Sequence, residues 1–166
     1  MMSNTLLESV VKKNRARLIP FMLALYVLAF LDRSNIGFAK ETYQLDTGLS
    51  NEAYALGAGI FFVVYAFLGV PANLLMRKFG ARKWIGCTTL LWGVLSAAMA
   101  WADTEAKFLL VRTLLGAAEA GFFPGMIYLT SQWFPQQNRA SIMGLFYMGA
   151  PLALTLGSPL SGALLE

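Results

Sequence analysis

FLLVRTLLGAAEAGFFPGMIYLTSQWF, residues Phe108–Phe134, is long and apolar enough to cross a bilayer, yet it carries Arg112 and Glu119 in its interior. A charged side chain inside such a segment costs roughly 2.5–3.5 kcal/mol on insertion scales, so it faces a partner or a water-filled pathway rather than lipid. Seven residues, about two helical turns, separate the pair, so the cation and the acid project from nearly the same helix face. The first apolar run of the chain repeats the device with Asp32 and Arg33. Intramembrane ionisable residues are functional by default, and four of them point to a transport pathway.

Working outward, further apolar runs extend from about Leu18 to Phe38, Tyr54 to Met76, Trp84 to Trp101 and Ala140 to Leu165. Each approaches the roughly 20 residues that span a bilayer at 1.5 Å rise per residue. The expected fold is therefore an all-α integral membrane protein with about five transmembrane helices. Composition agrees: 57% of residues are hydrophobic and only 13% charged, with a mean hydropathy of +0.58, more apolar surface than a soluble domain could hide. The first run follows a basic stretch, as a signal peptide would. It exceeds the 7–15 residues of a signal core and lacks a small-x-small cleavage site, so it reads as a retained helix.

Orientation follows from lysine and arginine. Lys12, Lys13, Arg15 and Arg17 precede the first helix, Arg77, Lys78, Arg82 and Lys83 lie between the second and third, and Arg139 lies between the fourth and fifth. The remaining loops carry Lys40 and Lys107, with acidic Glu41, Asp46, Glu52, Asp103 and Glu105. The positive-inside rule makes the N-terminus cytoplasmic and puts Glu166 on the far side. Counting from the helix ends, Asp32 lies about 10 Å below the outer boundary, Arg112 about 8 Å and Glu119 about 18 Å, near the midplane.

The net charge of +4 is confined to these short loops, which excludes a nucleic-acid surface. Cys87 is the sole cysteine and there is no histidine, so neither a disulfide framework nor a cysteine- or histidine-based metal site is expected, and no cofactor. Neither H-E-x-x-H nor G-x-S-x-G occurs, and the chain does not read as an enzyme.

Two readings of the four charges compete. In the structural one they pair to hold helices together, with Asp32 and Arg33 snorkelling outward. In the functional one, the guanidinium forks of Arg33 and Arg112 bind a carboxylate, and the acids carry protons. Burial disfavours an ionised carboxylate and a neighbouring arginine favours it. A substrate anion that competes for the arginine therefore makes the acid readier to take a proton, which couples anion to proton. Gly116, Ala117, Ala118, Ala120, Gly121 and Gly125 allow close helix approach. Pro71, Pro124, Pro151 and Pro159 remove backbone donors and can kink helices. Among the aromatic residues Tyr26, Phe30, Tyr65, Phe122, Phe123, Tyr128 and Tyr147, Tyr65 has the strongest claim to a pathway, because its mid-helix hydroxyl needs a partner.

These residues resemble a known family. RKFGARK, Arg77–Lys83, is similar to the loop pattern G-x-x-x-D-[RK]-x-G-x-[RK]-[RK] of the major facilitator superfamily: Lys78, Gly80, Arg82 and Lys83 match, while Asn73 replaces the glycine and Arg77 the aspartate. Arg112-x-x-x-Gly116 resembles the superfamily's second motif. LDRSNIGFA, Leu31–Ala39, and GAAEAGFFPGMIYLTSQWFP, Gly116–Pro135, resemble its anion:cation symporter branch of sugar-acid, tartrate, phthalate and allantoate permeases, most of all the bacterial inner-membrane rhamnonate type. The resemblance implies proton-coupled symport of a small organic anion. It assigns proton coupling to Asp32 and Glu119, substrate contacts to Arg33, Arg112 and Tyr65, and a gating loop to Lys78, Gly80, Arg82 and Lys83.

Such proteins have about twelve helices in two six-helix halves. With about five, this chain reads as an N-terminal part, lacking the C-terminal half or pairing with a separately encoded one. The alternatives are a non-transporting membrane fragment and an efflux antiporter, the latter disfavoured because helix five lacks a full G-x-x-x-G-P-x-x-G-G motif.

Overall fold

The helices start and stop where local chemistry directs. Ser50 caps the helix that follows it, its hydroxyl accepting from the Ala53 amide at 3.1 Å, and Thr104 does the same for Lys107, satisfying amides that have no intrahelical acceptor. The computed structural model describes residues 4–165, helical along most of their length and with no strand among them. In chain order the helices are α1 (Asn4–Phe38), α2 (Lys40–Thr47), α3 (Asn51–Phe79), α4 (Ala81–Ala98), α5 (Glu105–Glu119), α6 (Phe122–Trp133), α7 (Gln136–Tyr147) and α8 (Gly149–Leu165). Among the described residues, five helical stretches are long and apolar enough to span: Glu8–Phe38, Asn51–Phe79, Ala81–Trp101, Glu105–Trp133 and Gln136–Gly162. The expected all-α membrane fold with about five spans is what forms. Glu166, expected on the outer side, lies outside the described residues.

Hydropathy and backbone differ in instructive ways. α1 begins well before Leu18, because nothing in the polar stretch through Lys12, Lys13, Arg15 and Arg17 breaks a helix; hydropathy reports the bilayer, not the helix end. The short helix α2 occupies what reads as a loop, closed by Gly48 in the left-handed conformation (φ 69°) with its amide on the Gln44 carbonyl. The fourth span is interrupted at Ala120–Gly121, one turn before Pro124. Proline has no N–H for the carbonyl four residues back, here Ala120, and its ring crowds that carbonyl. The fifth span breaks at Met148, next to Tyr147, the residue four before Pro151, for the same reason.

The chain divides into two compact units, one comprising α1 with the chain from Ile127 onward and the other running Ala39–Met126. In the first, α1 packs on α7 and α8. Met22, Tyr26 and Ala29 bury one stripe of α1, and Tyr26 meets Phe146 at 4.3 Å between ring centroids. On α8, Gly149 lies under Tyr26 and Leu23, and Gly157 under Leu31. With buried Ala153 between them they form a small-residue stripe at four-residue spacing. Ser161, four residues further, donates its hydroxyl to the Asn35 amide oxygen at 3.2 Å.

In the second unit α3 and α4 both pack against α5. The α3–α5 seam interlocks: the Phe108 ring occupies the space that a side chain on Gly57 would fill, and Gly116 lies against the backbone of Phe61. Tyr54 stacks on Phe108 at 5.3 Å and 21°. Above them the Tyr43 hydroxyl donates to the Ala102 carbonyl, tying α2 to the α4–α5 connection. Burial first, and the Asp103 charge second, push the Tyr43 phenol above its ordinary range. Asp103 itself sits below the usual carboxylate range, chiefly through the hydrogen bond from Lys107 at 2.6 Å.

Candidate functional site

Two buried ionisable side chains in the second unit stand on α5: Arg112 is 2% exposed and Glu119 1%. The α3–α5 seam explains how Arg112 is accommodated. Gly57, Phe61 and Tyr65 recur every fourth residue and form one stripe of α3; Phe108, Arg112 and Gly116 form the facing stripe of α5. The Nε of Arg112 donates to the Gly57 carbonyl at 3.2 Å. Its guanidinium carbon lies 4.4 Å from the centroid of the Phe61 ring, well inside the roughly 6 Å range of cation–π attraction. Phe61, fully buried, in turn stacks on Tyr65 at 6.1 Å and 18°. Arg112 and Tyr65, both expected near substrate, are thus linked through one ring.

Glu119 follows on the same helix, immediately before the interruption at Ala120–Gly121. Asp32 and Arg33 belong to the other unit, half-buried on α1 six and five residues before its end at Phe38. Asn35, one turn beyond Asp32, carries the hydrogen bond to Ser161.

The expected gating residues surround a one-residue link between α3 and α4. Gly80 has φ 86° and ψ 141°, a conformation open essentially to glycine alone. Lys78 closes the last turn of α3, where a cation suits the helix dipole; Arg82 and Lys83 open α4, where it does not. All three are exposed. Two cations at a helix N-terminus gain nothing for that helix, so their placement answers a demand from outside it. Asn73, which stands in the motif's glycine position, turns its amide back to the Gly69 carbonyl at 2.9 Å.

Phe61 and Gly57 do not stand out in the sequence: their four-residue spacing with Tyr65 is visible there, but which residue of α5 that stripe meets depends on helix register.

A polytopic helical membrane protein with a buried cation and a buried acid on one span, and a basic glycine link between two others, is what fold and site define. The Major Facilitator Superfamily model matches residues 22–166, and the chain belongs to that family. It is 92% identical, over 99% of its own length, to Inner membrane transport protein RhmT of Escherichia coli (strain K12), of which it spans 38%. It is 49% identical, again over 99% of its length, to a putative tartrate transporter of Agrobacterium vitis, spanning 36% of it. Among solved structures, the inward-facing, occupied form of a bacterial homolog to human lysosomal transporter Spinster superposes with a TM-score of 0.84 at 22% identity, covering 90% of this chain and 32% of that one; this likeness concerns the fold.

Proposed function

We propose that the protein carrying this chain is a secondary active transporter of the bacterial inner membrane that moves a small organic anion, a sugar acid of the rhamnonate kind, together with protons. The observation that carries the reading is the pairing on α5 of a nearly fully buried arginine with a nearly fully buried acid. A buried arginine keeps its proton and offers a carboxylate a planar fork of donors. A buried acid that gains and loses a proton as the anion arrives and leaves supplies the coupling. On this reading Glu119 and Asp32 carry protons, and Arg112, Arg33 and Tyr65 contact the anion. Lys78, Gly80, Arg82 and Lys83 form the cytoplasmic gating loop. The name of the first relative, an inner membrane transport protein, supports transport, and that of the second, a putative tartrate transporter, supports an organic anion. No catalytic residue, metal or cofactor is assigned.

The test is uptake of labelled L-rhamnonate into proteoliposomes holding the full-length protein. Saturable uptake stimulated by an inward proton gradient and abolished by a protonophore is expected. Uptake indifferent to the gradient would contradict coupling.

A second reading has its own observation. The bond from Arg112 to the Gly57 carbonyl joins α3 to α5, which suits an arginine that clamps helices together. Under it, replacing Arg112 would lower thermal stability and leave the affinity for the anion unchanged.

Orientation yields a separate prediction, since nine of the thirteen Lys and Arg residues flank the apolar runs at the ends expected to be cytoplasmic. A reporter active only outside the cytoplasm should be active when fused after Asp46 or Asp103 and silent after Lys83 or Gln137. The reverse pattern would invert the proposed topology.

A further inference from the structure

We infer that Phe61 is a positioning residue for the anion site: its ring holds the Arg112 guanidinium in place by cation–π contact and thereby sets the affinity for the substrate carboxylate. This rests on the assignment of Arg112 to the anion. The geometry behind it is built by the helix seam. Gly116 lets α5 approach so closely that a Cβ there would lie 2.5 Å from the Phe61 carbonyl oxygen. That approach sets the fully buried Phe61 ring against Arg112, guanidinium carbon to centroid 4.4 Å. Gly57, one turn away on the same stripe, accepts from Nε.

The choice of partner matters chemically. A buried guanidinium needs something to replace its water. A carboxylate on Phe61's site would do so by cancelling the charge, and the substrate would then have to displace it. An aromatic face attracts the cation through its quadrupole and contributes no anion of its own. With Nε on the Gly57 carbonyl and the guanidinium carbon over the ring, the rotations of a long side chain are restricted before the anion arrives, which reduces the ordering cost of binding. Phe61 also stacks on Tyr65, so the same ring orients a second residue assigned to substrate.

The experiment uses the full-length protein in nanodiscs and measures labelled L-rhamnonate binding directly, with thermal stability recorded for each variant. Phe61→Leu removes the ring, Phe61→Tyr retains it, and pentafluorophenylalanine at position 61 keeps the shape while reversing the quadrupole. Leucine and the fluorinated ring are both expected to weaken binding about tenfold, with tyrosine close to the parent. Because the fluorinated ring keeps the parent's shape, a merely packing role would leave its affinity unchanged. Should the leucine variant fail to fold, the fluorinated one alone decides. Unchanged affinity on fluorination, while Arg112→Ala weakens binding, would overturn the role of Phe61 alone. Unchanged affinity in Arg112→Ala would overturn the anion assignment beneath it.

Discussion

Glu119→Gln is expected to abolish proton-driven accumulation in the full-length protein while leaving exchange of internal for external anion near normal. Glutamine keeps the size and most hydrogen-bonding capacity of the side chain and removes only its ability to bind and release a proton. A gradient of two pH units stores about 2.7 kcal/mol per proton, enough for about a hundredfold accumulation at one proton per anion. The variant should equilibrate the substrate at a ratio near one. Asp32→Asn should impair accumulation in the same sense. Arg112→Ala and Arg33→Ala should act on the other half of the cycle, weakening anion binding by about ten- to a hundredfold, the equivalent of losing a charge-assisted hydrogen bond of about 1.5–3 kcal/mol. Proton-driven uptake at the parent level in both acid variants would show that the carboxylates are structural. The measurement is the steady-state ratio of labelled rhamnonate across the vesicle membrane, set beside counterflow in the same preparation.

Gly116→Leu is expected to be the most damaging substitution in the second unit. A Cβ at this position would stand 2.5 Å from the Phe61 carbonyl oxygen and 3.2 Å from its Cα. Backbone cannot rotate away as a side-chain tip can, so α5 and α3 must separate. Overpacking of this kind costs about 1–3 kcal/mol and occasionally more. The separation would also remove the Gly57 carbonyl from Arg112, so anion affinity should fall with stability. Gly59→Leu is the control, because nothing lies within 4 Å of a Cβ there. Thermal unfolding in detergent should show a large drop for the first and little change for the second. Equal stability of the two would mean that the seam is looser than described.

The features written into the sequence were those that answer to the bilayer. Hydropathy over about twenty residues reports a span whatever its neighbours do, since every backbone polar group in lipid must be satisfied within the helix itself. The five spans and the basic stretches at their ends follow from chemistry local to a few residues. So does the likeness of Arg77–Lys83 and Arg112–Gly116 to family motifs, a property of the string. The helix interruptions upstream of Pro124 and Pro151 do not follow from proline alone, since Pro20, Pro71 and Pro159 lie inside unbroken helices. The start of α1 and the existence of α2 are less legible, because the helices continue into polar residues that hydropathy assigns to loops.

Among the candidate functional residues, Arg112, Glu119, Asp32, Arg33 and Tyr65 stand out in sequence because charges and a hydroxyl are conspicuous among apolar residues. Phe61 does not, being one of twelve phenylalanines in a chain that is 57% hydrophobic. Only the packing of α3 on α5 makes it distinct, and that register is set by two absences of side chain, at Gly57 and Gly116, each filled by a residue about 50 positions away along the chain. Local pattern determines which stretches are long and apolar enough to span. Which ring lies against which cation is a long-range fact, decided when two glycines let two helix backbones close on one another.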